Sequence, residues 1–117
     1  MDALENLEVW KRSCRLSVEL YRELSRCQEY AFREQITRSA LSVPSNIAEG
    51  YERGEGKSRI QFLIIAKGSC GERWTQLLIG RKAGLINPET GKRMEQESKE
   101  IAKMLFGLIQ HFQNKQT

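Results

Sequence analysis

Apolar residues recur along this chain at steps of three and four, the spacing that lines one side of an α-helix, and the alternation of a half-buried strand is nearly absent. Leu7, Trp10, Cys14, Val18, Tyr21 and Leu24 form the first stripe, with Asn6 placed to cap its entrance. The stripe predicts a helix over about 7–25. Arg26 to Tyr30 carries no apolar period and reads as a turn. Phe32, Ile36, Ala40, Val43, Ile47 and Tyr51 then predict a second helix over about 32–53. Pro44 falls inside it, where the ring removes a backbone donor and meets the carbonyl of Ala40, so a kink is expected. Gly54-Glu55-Gly56-Lys57 reads as the next turn, and Ser58 with Gln61 reads as a capping box opening a third helix over about 58–83. Ala83-Gly84-Leu85 has the form of a helix stop, with Gly84 left-handed. Asn87-Pro88-Glu89 supplies a side-chain cap, a proline suited to the first turn and an acid favoured by the helix dipole. The fourth helix, over about 88–113, buries one narrow arc of Met94, Ile101, Leu105, Leu108, Ile109 and Phe112, and Gly91 weakens its first turn.

Four helices joined by short turns predict an all-α fold, an antiparallel up-down-up-down four-helix bundle kinked at Pro44 and forming a single domain over 1–117. The helices carry more apolar surface than one bundle can use. Phe62, Leu63, Ile64, Ile65 and Ala66 are consecutive and therefore point around the whole circumference of the third helix. In the first helix Val9, Leu16 and Leu20 lie roughly opposite Leu7, which leaves the polar face of Lys11, Arg12, Arg15, Glu19 and Arg22 less than half the wheel. A helix apolar on two sides needs a second partner, and a copy of the same chain is the ordinary one, so a homo-oligomer is expected.

Composition bounds the function. A chain of 117 residues with 39% apolar and 29% charged residues suits one core. It contains no run of about 18 apolar residues, and its start, Met1-Asp2-Ala3-Leu4-Glu5, lacks the basic and apolar regions of a secretory signal, so no membrane partner and a cytoplasmic location are expected. Cys14, Cys27 and Cys70 are odd in number and widely spaced, which suggests reduced thiols and neither a disulfide framework nor a zinc site. Catalysis has little to work with. The sole histidine, His111, lies near the C-terminus, and the Glu-x-x-His pairs of di-iron bundles are missing. Glu49 and Glu72 each have a nearby cation, Arg53 or Arg73, with which to pair. Gly68-Ser69-Cys70-Gly71, inside a helical pattern, suggests close helix packing. No catalytic residue, metal or cofactor is expected.

Nineteen Lys and Arg against fifteen Asp and Glu leave a net charge of +4. The segment Lys11 to Lys82 holds 14 basic and 8 acidic residues. Arg53, Lys57 and Arg59 crowd one end of the bundle and Arg81 with Lys82 approach the other, which makes these five the candidates for nucleic-acid contact; ordinary solubilising charge is the competing reading. Trp10, Phe32, Phe62 and Trp74 all fit core positions, so base stacking is not suggested. A separate polar line, Gln35, Arg38, Ser42, Asn46, Glu49 and Arg53, runs along the second helix opposite its apolar stripe, flanked by Ser39, Ala40, Ser45, Ala48 and Gly50. It fits a tightly packed polar interface, a ligand-facing groove or an ion-paired surface.

The run Gln35-Ile36-Thr37-Arg38-Ser39-Ala40-Leu41-Ser42-Val43-Pro44-Ser45-Asn46-Ile47-Ala48-Glu49-Gly50, with Arg53 after it, resembles the signature of the four-helix-bundle proteins encoded by intervening sequences in bacterial 23S rRNA genes. Leu7-Glu8-Val9-Trp10 resembles that family's opening, and Phe62 to Ala66 with Gly68-Ser69, Glu72 and Thr75-Gln76-Leu77 resembles its third helix. The likeness runs from about Leu7 to Phe112. It departs from the usual pattern at Ser25-Arg26-Cys27-Gln28-Glu29, which lacks a proline, and at Cys70-Gly71, which replaces a helix-favouring pair. The first turn and the straightness of the third helix stay open at this point. The resemblance implies a ring-shaped homopentamer with no known catalytic activity. The family is also similar to accessory proteins of diversity-generating retroelements, basic pentameric bundles that bind a reverse transcriptase and nucleic acid. Three partners follow: the chain itself, rRNA or another nucleic acid, and a reverse transcriptase or other protein. The expected function is a non-catalytic oligomer that binds nucleic acid through basic surface summed around the ring, with an adaptor ring for another protein as the alternative.

Overall fold

Local chemistry sets two of the helix boundaries as expected. Asn87 Oδ1 accepts hydrogen bonds from the backbone N–H groups of Glu89 and Thr90, each at 3.1 Å, with Pro88 in the first helical position. Gly84 takes φ 79°, and the Leu85 N–H reaches back to the Gly80 carbonyl at 2.8 Å, closing the preceding helix. The computed structural model describes residues 2–116. Among them are five helices and no strand: α1 (Asp2–Glu5), α2 (Glu8–Glu23), α3 (Tyr30–Glu52), α4 (Lys57–Lys82) and α5 (Pro88–Lys115).

Three details differ from the sequence reading. A short α1 precedes the first expected helix and buries Leu4, so Asn6 lies in the turn between them and α2 opens at Leu7 without a side-chain cap. α3 begins at Tyr30, two residues earlier than expected. α4 begins at Lys57, directly after Gly56 at φ 120°, which places Ser58 inside the first turn and leaves the capping box unmade. α4 continues unbroken through Cys70-Gly71, and α3 continues through the buried Pro44.

The long helices pack in the cyclic order α2, α3, α4, α5, with α2 and α4 on one diagonal and α3 and α5 on the other, in an envelope of 47 × 22 × 21 Å. Leu16, Leu20, Ile36, Ile47, Leu63, Leu77, Ile101 and Leu105 meet at the centre and are essentially inaccessible to water. Each such side chain contributes about 1.5–3 kcal/mol by leaving water. The apolar stripes read for α3 and α5 are the buried ones.

For α2 the expected stripe holds only in part. Leu24 is fully buried and Leu7 and Trp10 pack partly against the core, but Val18 and Tyr21 stand about half exposed, and Val9, Leu16 and Leu20 of the second arc face the core instead. The core arc was hidden by Ser13 and Ser17, which are buried on it. Ser13 Oγ donates to the Val9 carbonyl at 2.8 Å, and Ser17 Oγ lies 3.0 Å from both the Ser13 and Ala40 carbonyls. Hydroxyls satisfied in this way carry little desolvation penalty and let α2 approach α3 closely.

Gly80 of α4 lies close under Phe32 of α3: a Cβ built on Gly80 would stand 2.4 Å from Phe32 Cζ. Cys14, Cys27 and Cys70 are free thiols. No group of three or more potential metal ligands occurs among the described residues, and no helix there is long and apolar enough to cross a membrane.

Candidate interaction surfaces

The polar line on α3 divides into a packed middle and exposed ends. Ser42 and Ser69 hydroxyls lie 2.7 Å apart across the α3/α4 contact, and Asn46 Nδ2 donates to the Ser42 carbonyl at 2.8 Å and to Ser42 Oγ at 2.9 Å. Next to them Ser39 Oγ donates to Gln76 Oε1 at 2.6 Å. These groups form a half-buried polar seam that sets the register of α3 against α4. Gly50 lets the start of α4 approach, since a Cβ there would stand 3.2 Å from the Arg59 carbonyl oxygen. Gln35, Arg38, Glu49 and Arg53 lie outside the seam and are exposed. Arg38 pairs with Glu34 at 2.8 Å and Arg53 with Glu49 at 3.0 Å, each one helical turn apart. Such exposed pairs stabilise a helix only slightly.

Of the five basic candidates, Arg53, Lys57 and Lys82 are exposed. Lys57 and Lys82 stand at opposite ends of α4, about 38 Å apart at 1.5 Å per residue. Arg59 is a correction: it is buried, with its guanidinium 4.1 Å from the Tyr51 ring centroid and 5.1 Å from that of Phe112. It clamps the end of α3 and the end of α5 to the start of α4, and its Nε makes no hydrogen bond. Arg81 is likewise occupied. Its guanidinium holds the Glu95 carboxylate at 2.6 and 3.2 Å, and its aliphatic stem fills the space left by Gly91. The glycine that weakens the first turn of α5 thus admits Arg81.

Arg73 departs furthest from expectation. The expected pairing with Glu72 is not made: Glu72 points to water and Arg73 turns into the core with no exposed surface. Its Nε donates to Ser98 Oγ at 3.1 Å, Nη2 lies 3.8 Å from Cys70 Sγ, and Nη1 has no partner. Ser98 Oγ in turn donates to the Cys70 carbonyl at 3.1 Å. Burial pulls the guanidinium below its ordinary pKa and pushes the Cys70 thiol up. Spacing could have found this residue, because Ala66, Cys70, Arg73 and Leu77 continue the buried arc of α4 at steps of four, three and four. Elsewhere, Arg12 grips Glu97 from α2 to α5 with Nε at 2.8 Å from Oε2, and the guanidinium holds that carboxyl below the usual carboxylate range. His111 is exposed and meets the Phe112 ring edge-on at 5.2 Å.

Apolar surface is left over, as the run Phe62 to Ala66 foretells. Leu63 and Ala66 face the core, whereas Ile64 and Ile65, and Ile79 further along α4, are exposed. On α2 and α3, Val18, Tyr21 and Leu41 are exposed around a groove of about 480 Å³ floored by Pro44.

An all-helical protein with a polar seam between α3 and α4 and uncovered apolar residues on α2 and α4 is the class these features define. The chain belongs to the family of 23S rRNA-intervening sequence proteins, whose pattern matches residues 5–107. Among solved structures it is similar to a protein of unknown function from the S23 ribosomal protein family of Bacteroides thetaiotaomicron VPI-5482. The two are 27% identical, with a TM-score of 0.80, over 86% of this chain and 97% of that one. No curated protein matches.

Proposed function

We propose that this protein is a non-catalytic building block: an antiparallel up-down-up-down bundle of α2 to α5, bent at Pro44, that assembles with copies of itself and offers repeated basic surface to structured nucleic acid. The apolar surface left exposed on α2 and α4 carries the reading. A soluble chain gains by covering such faces, and a second copy is the partner always at hand. Short connections and the elongated envelope support the antiparallel order, and the missing N–H of a mid-helix proline supports the bend. A ring of five, as the family resemblance implies, multiplies the net charge of +4 to about +20, enough to hold a phosphate backbone with strong salt dependence. Arg53, Lys57 and Lys82 are the exposed cations of the original candidates, rRNA is the first partner to try, and the setting is the cytoplasm.

Light scattering at micromolar concentration tests assembly, and a monomer refutes it. Filter binding of structured rRNA at about 50 mM and about 200 mM salt tests the ligand. Binding that falls steeply with salt, and that weakens in Lys57→Glu and Lys82→Glu without loss of the oligomer, is the expected result. No binding near 50 mM refutes the nucleic-acid role. The burial of Arg59 and the pairing of Arg81 with Glu95 favour the second reading, an adaptor assembly for another protein such as a reverse transcriptase, and that reading survives this result.

A further inference from the structure

We propose that the groove between α4 and α5 binds an unpaired stretch of RNA, one base stacking on Phe106 and the flanking phosphates meeting Lys67, Lys99 and Lys103. The proposal rests on the nucleic-acid reading above and gives it a binding face other than Arg53, Lys57 and Lys82. Phe106 is 51% exposed, alone among the chain's four phenylalanines in standing out in water. Beside it Lys67, Ala102 and Lys103 line a groove of about 310 Å³. Lys67 reaches across from α4, its Nζ 5.9 Å from the centre of the Phe106 ring. Lys99 reaches back from α5, its Nζ 5.2 Å from the centre of the half-buried Trp74 ring.

The charge on this face is one-sided and unclaimed. Lys67, Lys99 and Lys103 are exposed and make no ion pair among the described residues. The neighbouring carboxylates are drawn elsewhere: Glu95 is held by Arg81 and Glu97 by Arg12, while Glu100 accepts a hydrogen bond from Gln96 and acts on Arg12 of α2. Glu72 sits about 140° round α4 from Lys67. Lys99 and Lys103, one helical turn apart, are a like-charge pair that weakens α5 slightly, with no carboxylate paired to either.

This chemistry selects the occupant. Lysine is depleted at protein interfaces, whereas an ammonium serves any phosphate as a point charge. Lys99 and Lys103 lie about 6 Å apart along α5, within reach of successive phosphates of an extended strand. An exposed ring set among lysines is the arrangement by which single strands are held, the ring stacking a base and the cations following the backbone. A duplex offers Phe106 no free base face, and RNA presents unpaired bases in its loops and bulges. No stretch of the sequence alternates basic and aromatic residues here. Lys67 and Trp74 belong to α4 and Lys99, Lys103 and Phe106 to α5, so only the packing of the two helices brings them together.

Fluorescence anisotropy of the full-length chain with a labelled oligouridylate of about 12 nucleotides, and with an RNA duplex of the same length, tests the face. At about 50 mM salt the single strand is expected to bind the more tightly. Phe106→Ala is expected to weaken single-strand binding at least about tenfold and to leave duplex binding unchanged, and Phe106→Trp to retain it. Lys67→Ala with Lys103→Ala is expected to flatten the salt dependence of single-strand binding, by about 0.7 in log–log slope for each lysine. Phe106 stands in water, so its replacement leaves the helical circular dichroism intact and a folding defect does not imitate the result. A duplex that binds as tightly as the single strand overturns the stacking. Structured rRNA that still binds, with single-strand affinity indifferent to Phe106→Ala and to the paired lysine substitutions, overturns this face and leaves the nucleic-acid reading standing. Failure of every probe near 50 mM salt overturns both. Polyglutamate that displaces the labelled strand as well as unlabelled oligouridylate does assigns the groove to an acidic protein and overturns the RNA.

Discussion

Replacing Arg73 by methionine is expected to make this protein more stable. The arginine has no exposed surface, one good hydrogen bond to Ser98, a distant sulfur contact to Cys70, and a terminal nitrogen with no partner. No carboxylate among the described residues lies within 4 Å of it, and Glu97 favours its charge only from further away. Desolvating a charge costs several kcal/mol, and the hydrogen bond to Ser98 returns about 1.5–3 kcal/mol. Methionine fills much of the same channel with an unbranched, adaptable chain and has no charge to desolvate. The Ser98 hydroxyl keeps its bond to the Cys70 carbonyl. The balance favours Arg73→Met by about 1–3 kcal/mol, a rise in the urea midpoint of roughly 1 M for a slope of about 1.5 kcal/mol/M. Arg73→Ala serves as the contrast, since it leaves a cavity and is expected to lose about 2–4 kcal/mol. Urea unfolding followed by circular dichroism at one fixed protein concentration reads both. An Arg73→Met variant less stable than wild type by more than about 1 kcal/mol refutes the reasoning, because the guanidinium would then be a net contributor to the core.

Three further outcomes follow from the packing. Gly80→Ala pushes a methyl against Phe32 and Ile86 and is expected to cost about 1–3 kcal/mol in thermal unfolding, while Gly107→Ala, on an open side of α5, adds about 0.5–1 kcal/mol; equal effects would refute the close approach. Arg59→Ala removes the cation held over Tyr51 and Phe112, with an expected loss of about 2 kcal/mol in urea unfolding and no change in the salt dependence of any nucleic-acid binding. The carboxyl of Glu97 is depressed in the folded state by Arg12, so its stabilising contribution is present above the unfolded carboxylate's pKa and is lost as pH falls through the lower folded value. In Glu97→Gln the decline of the urea midpoint below about pH 4.3 is expected to flatten, and an unchanged acid limb speaks against the pairing.

Much of the molecule was written in the one-dimensional pattern. α3 and α5 each have one main apolar arc, so the period names most of their buried apolar residues, though not the buried Ser39, Glu95 or Ser98, and Asn87-Pro88 and Gly84 mark boundaries through chemistry confined to a few neighbouring residues. The family signature around Ser42 and Asn46 was equally visible, although its meaning was not: whether that line packs or faces a ligand depends on Ser69 and Gln76, more than two dozen residues away.

What the tertiary structure alone decided is which of two possible sides each ambiguous helix turns inward. α2 offers two apolar arcs, and the one containing two serines wins because the Ala40 carbonyl and the preceding turn accept their hydroxyls, which leaves Val18 and Tyr21 in water. Arg59 and Arg73 follow the same logic in reverse. Charge in a sequence reads as surface, yet both lie on the buried arc of α4, where two aromatic rings and a serine from other helices receive them. Periodicity is a property of one helix and is legible in its own residues, whereas burial belongs to the partners that come to rest against it.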